Sequence, residues 1–104
     1  DSPMAIDVTE IYSQHPEDHD LDMQRLHDAE RHPLRCRHQE MLRTPQESKA
    51  LNDRRGPMII ISASGMATGG RVLHHLKRLL PDDRNAVLLA GFQAAGTRGR
   101  SLLE

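Results

Sequence analysis

The chain of 104 residues has no tryptophan, one tyrosine and one phenylalanine. With Tyr12 and Phe92 as its only aromatic side chains, a core has to be assembled from Ile, Leu, Val, Met and Ala, and a stacking platform for nucleic-acid bases is poorly supported. The single cysteine, Cys36, can form no internal disulfide and has no Cys partner for a zinc cluster, which fits a reducing compartment. No apolar run approaches the roughly twenty residues of a membrane span, and no charged-then-apolar leader opens the chain. A cytoplasmic protein with a single small domain over residues 1–104 is the expectation. The start at Asp1, without Met or a preceding strand, suggests an open sheet edge and hence a risk of self-association.

What is present is unevenly spread. Residues 1–53 carry six Lys/Arg against twelve Asp/Glu, and residues 54–104 carry eight against three, so a net charge of -1 hides an acidic half and a basic half. The basic half also holds the most informative stretch, IIISASGMATGGRVLHH. There an apolar β-branched run passes through a Ser/Gly loop into an amphipathic helix. Amides at a helix N-terminus lack intrahelical partners and the dipole adds positive charge, so this order suits a phosphate corner. A second unit follows: Ala86 to Phe92 reads as a strand, Gln93 to Gly96 as a loop and Thr97 to Leu103 as a helix, with Gly99-Arg100 echoing Gly70-Arg71. Successive βα steps predict an α/β fold with a parallel sheet flanked by helices, in a Rossmann-like three-layer arrangement. Arg71, Arg98 and Arg100 would then gather at its carboxyl edge.

The run SASGMATGGRVLHHLKRLLPDDRNAVLLAGFQAAGTRGRSLLE closely resembles the C-terminal part of the β-CASP domain, inserted in RNA-processing nucleases of the metallo-β-lactamase superfamily; DSPMAIDVTEIY and ESKALN extend the likeness toward the bacterial branch. The resemblance implies an RNA-handling segment of a zinc-dependent nuclease, covering the cleft of a metallo-β-lactamase domain in the same polypeptide and positioning RNA for hydrolysis. The family's His-x-His-x-Asp-His zinc run is absent among His15, His19, His27, His32, His38, His74 and His75, so the chain is expected to carry no catalytic residue, no metal and no cofactor, and zinc is expected in the parent enzyme. Guided by the family, the residues expected to hold substrate phosphates are Ser62, Ser64, Gly65, Met66, Thr68, Gly69, Gly70 and Arg71 in the first corner, with Gln93, Gly96, Thr97 and Arg98 in the second.

Other readings remain open on the residues alone. A mononucleotide- or phosphate-binding α/β module would use the same corner, although neither GxxxxGK[ST] nor a fitting G-x-G-x-x-G occurs. A non-catalytic protein-interaction domain, pairing through an exposed sheet edge as a possible homo-oligomer, is the third. Ser62 and Ser64 invite comparison with a hydrolase elbow, but no acid and base accompany them.

Elsewhere, Ser2-Pro3 predicts an N-cap and a helix to about Gln14 with an apolar stripe of Met4, Val8, Ile11 and Tyr12. His15 and His19 stand at a spacing that could place two ligands on one helical face, yet Pro16 interrupts it and the role of the His-rich acidic stretch 15–38 stays open. Residues 34–43 read as a loop or short strand. Thr44-Pro45-Gln46-Glu47 predicts a capping box opening a helix through Asn52, with Ser48 and Lys49 either facing the ligand edge or merely flanking packed residues. From Gly69 to Leu80 the stripe Val72, Leu73, Leu76, Leu79 and Leu80 predicts a helix packed on the sheet. Its adjacent His74 and His75 leave the axis about 100° apart, which argues against joint metal binding.

Overall fold

The computed structural model describes every residue from Asp1 to Glu104. It forms two compact units: Pro3–Met41 is one, and Asp1–Ser2 together with Leu42–Glu104 is the other.

In the first unit, α1 spans Pro3–Ser13. Proline at its first position costs no hydrogen bond and presets φ. The expected stripe is nevertheless the outward face: Met4, Val8, Ile11 and Tyr12 are exposed, and Ile6 is the buried residue of the helix. Pro16 stops helical propagation and starts a short 3-10 turn, Pro16–Asp18. α2, Leu21–Asp28, is capped by Asp20, whose carboxylate accepts from the Met23 amide at 2.8 Å. It ends well before Pro33, where Glu30 takes a left-handed φ of 56°.

In the second unit the capping box forms as its spacing predicts. Thr44 Oγ1 accepts from the Glu47 amide (3.2 Å) and the Glu47 carboxylate accepts from the Thr44 amide (2.9 Å), opening α3 at Pro45–Ala50. A 3-10 turn, Leu51–Asp53, follows. Thr44→Ala should therefore cost about 1 kcal/mol of unfolding free energy, seen as a lower urea midpoint at unchanged slope. α4 covers Val72–Leu79 and α5 covers Arg98–Leu103. α4 begins later than the sequence pattern suggests because Gly70 has a φ of +80°, outside the helical region. The α4 stripe is only half covered, with Leu80 46% exposed.

The parallel sheet does not form, which corrects the expected α/β class: the chain contains helices, turns and irregular segments but no strand. Segments 58–62 and 86–90 take no regular secondary structure, and neither enters a ladder. Ile59, Ile61 and Leu88 are 93%, 77% and 91% exposed, and the Ile61 carbonyl accepts from the Asp1 backbone nitrogen at 2.8 Å. A strand is defined by the partner its amides and carbonyls meet, and no ladder forms between these two apolar runs. What is buried in this unit is mainly polar: Ser48 at 0%, His75 at 4% and Gln93 at 4% exposure, with Ala67 the one fully covered apolar side chain. That inversion of the usual order points to the functional site.

Candidate functional site

A closed polar cluster gathers around the carboxylate of Asp1, whose side chain is 1% exposed. His75 Nε2 donates to Oδ2 at 2.7 Å, Ser48 Oγ donates to the same oxygen, and Arg71 Nη1 donates to Oδ1 at 2.9 Å. Arg71 also donates to the carbonyls of Leu42 (3.1 Å) and Arg43. His74 reaches Ser48 from the other side, with 2.8 Å between Nε2 and Oγ, while Asn52 Nδ2 lies 3.2 Å from His74 Nδ1. One proton assignment satisfies all of these contacts. The Asn52 amide donates to Nδ1 of His74, His74 Nε2–H donates to Ser48, and the Ser48 hydroxyl donates to Asp1.

Local structure explains the convergence. The α3 capping box orients the helix that carries Ser48, α4 carries both histidines, and the backbone nitrogen of Asp1 is tied to the Ile61 carbonyl while Ser62 Oγ donates to the Asp1 carbonyl at 3.2 Å. The rings of His74 and His75 lie 3.9 Å apart between centroids, so the sequence argument that they diverge is corrected. Their Cβ directions differ, but both Nε2 atoms turn toward Ser48 Oγ, at 2.8 and 3.5 Å. Both imidazoles are held below their ordinary pKa. For His74 burial is the first cause, followed by the charges of His75, Lys49 and Arg71; for His75 the first cause is likewise burial. Neutral rings are thus the resting state.

The two corners meet each other. Gln93 Nε2 donates to the Gly65 carbonyl at 3.0 Å, the Gly99 amide donates to that of Met66 at 2.8 Å, and Arg98 Nη1 donates to that of Ala67 at 3.0 Å. Inside the first corner, Ser64 Oγ accepts from the amides of Thr68 (3.1 Å) and Gly69 (3.3 Å), and the Val72 amide donates to Ala63. In the second, Gly96 has a φ of +78° and Thr97 Oγ1 caps α5 by accepting from Arg100 at 3.2 Å. Much of the backbone polarity expected to face a phosphate is therefore used within the loops. Thr97 is the N-cap of α5, whereas α4 is entered through Arg71 and not through Thr68. Arg71 is drawn into the Asp1 cluster, whereas Arg98 keeps an exposed side chain and lines, with Lys77, a shallow groove between α4 and α5.

Sequence reasoning passed over Asp1 and Asn52, gave Ser48 an even choice and kept the two histidines apart. The available signal was that Asp1, Ser48 and the His pair all stand inside the segments DSPMAIDVTEIY, ESKALN and GRVLHH that carry the family likeness. In Pro3–Met41, His15 and His19 do not converge: His15 pairs with Glu17 at 2.7 Å, and His19 stacks on Tyr12 with centroids 4.3 Å apart. No helix is long and apolar enough to cross a membrane.

Comparison with known proteins gives a consistent answer. A family model described as the Beta-Casp domain matches residues 1–102. Ribonuclease TTHA0252 of Thermus thermophilus is 38% identical over 103 residues, covering 99% of this chain and 24% of that protein. Transcription termination factor FttA of Methanocaldococcus jannaschii is 32% identical over 101 residues, 95% of this chain and 16% of that protein. An RNase J-like protein of the same archaeon is 56% identical over 48 residues, 46% of this chain and 11% of the relative. The chain thus spans a quarter or less of the length of these relatives.

Proposed function

The chain belongs to the β-CASP domain family, and from that premise we propose that it is the RNA-positioning segment of a zinc-dependent ribonuclease with a metallo-β-lactamase domain in the same polypeptide, working in the cytoplasm. The observation that carries the reading is the joined pair of corners. Carbonyls of Gly65, Met66 and Ala67 are bound by Gln93, Gly99 and Arg98, and Arg98 lines one groove with Lys77 and four leucines on the basic half of the chain. Cations gathered on one surface attract a phosphate backbone without reading its sequence. Ser62, Ser64, Thr68, Gly69, Gly70, Gly96 and Thr97 support this surface by shaping the loops, and Arg71 acts from within by locking the start of α4 to Asp1.

This chain's donors do not fit the zinc centre that the resemblance implies. Asp1, His74 and His75 supply three convergent atoms for one ion, and the other convergent group, His15, Glu17 and Asp18, is exposed. No hydrolytic step is assigned to these residues.

The test is fluorescence anisotropy of a short single-stranded RNA at rising salt. Binding should weaken with salt, and Arg98→Ala should lower the log–log salt slope by about 0.7, the share of one phosphate contact on a single strand. RNA that stays intact and unbound at every salt concentration refutes the positioning role.

A further inference from the structure

We propose that Asp1, His74 and His75 bind one divalent transition-metal ion of the zinc class. Each residue offers a donor atom, and the three atoms lie within 4.8 Å of one another. A tetrahedral ion with bonds near 2.0–2.1 Å needs donors roughly 3.3 Å apart, a change within reach of small side-chain rotations. Ser48 Oγ, which touches the Asp1 carboxylate and lies 2.8 Å from His74 Nε2, stands where a fourth ligand or an ion-bound water would be held.

Two polar atoms point to an unused second arrangement of the cluster. His75 is 4% exposed and its Nδ1 has no partner; Asn52 Oδ1 is also covered and unpartnered. With an ion on Nε2, the proton of His75 moves to Nδ1, and no existing bond of Nδ1 is broken by that tautomer change. Turning the Asn52 amide presents its idle Oδ1 to His74 Nδ1–H. Such an outer hydrogen bond orients a ligating imidazole and fixes its lone pair on the ion.

The donor set also selects the ion. Arg71 holds Oδ1 at 2.9 Å, leaving Oδ2, and its charge opposes any cation. Calcium and magnesium, which depend on several oxygen ligands, find one carboxylate oxygen here; zinc, cobalt and nickel gain from two imidazoles.

The test is titration of the whole chain with Co²⁺ alone, followed by visible absorption, then displacement by Zn²⁺. One equivalent should produce the intense bands of a tetrahedral nitrogen/oxygen site, and Zn²⁺ should abolish them. His74→Ala, at the less covered rim of the cluster, should weaken Co²⁺ binding by at least about tenfold. His15→Ala, remote in sequence and outside the donor set, should leave binding unchanged. Should His74→Ala fail to fold by circular dichroism, Asp1→Asn is read in its place. Bands of six-coordinate aqueous cobalt only, or binding retained in the folded cluster variant, overturns the proposal. The readout is spectroscopic and independent of RNA binding, so it stands or falls apart from the positioning role.

Discussion

Asp1→Ala is expected to destabilise the unit formed by Asp1–Ser2 and Leu42–Glu104 by about 3–5 kcal/mol, the cost of removing one partner from a buried ion pair. The carboxylate is the common acceptor for Arg71, Ser48 and His75, and side-chain exposures of 1% for Asp1 and 19% for Arg71 leave little water to replace it. Arg71 would keep its two carbonyl partners but lose its counter-charge, and Ser48, fully covered, would have no carboxylate for its proton. A loss of this size is a large fraction of the whole stability of a small domain. Asp1→Asn keeps an acceptor oxygen for Ser48 and should cost less than Asp1→Ala. Urea denaturation resolves the difference, and an Asp1→Ala midpoint equal to that of the parent chain would sink the account. The Ser48→Ala exchange gives a second check: its cost should shrink in the Asp1→Ala background, because both substitutions remove the same bond.

The helix ends were legible because their chemistry is local. Pro3, the Thr44–Glu47 box and Thr97 each act on amides within a few residues, and each opens a helix where expected. The apolar runs carried a strand signature just as plainly, yet a strand requires a neighbour, and pairing is a property of distant residues. The Asp1 cluster was hidden for the same reason. Asp1 and His75 are 74 positions apart, and no periodicity links them. The rule that adjacent helical residues diverge by about 100° holds at Cβ, but it says little about the tip of an imidazole drawn to a shared hydroxyl. Family likeness supplied what spacing did not: it marked the three segments that the cluster joins, without saying that they would touch.

Gly99→Ala should have an effect that ordinary helix propensity gets wrong in sign. Alanine is favoured over glycine in a helix by about 1 kcal/mol, so the exchange in α5 would be expected to stabilise. A Cβ at Gly99 would instead stand 1.8 Å from Gln93 Oε1 and 3.0 Å from the Met66 carbonyl oxygen. Gln93 cannot swing aside freely, because it is 4% exposed and its Nε2 is held by Gly65 at 3.0 Å and Gly91 at 3.1 Å. Overpacking costs about 1–3 kcal/mol and each surrendered hydrogen bond about 1 kcal/mol more, so a net destabilisation of about 2 kcal/mol is expected after the propensity gain. Gln93→Ala alone should also destabilise, since it unties the two corners. The double variant is the decisive measurement: with Oε1 gone the severest clash is relieved and only the tight 3.0 Å approach to the Met66 carbonyl remains, so the combined cost should fall below the sum of the two single costs. Strict additivity would mean that Gln93 yields without penalty and that the corners are held by Arg98 and the Gly99 amide. A coupling of 0.5 kcal/mol or more, on the order found for residues in contact, would place Gln93 as the strut that keeps the basic surface in register with the first corner.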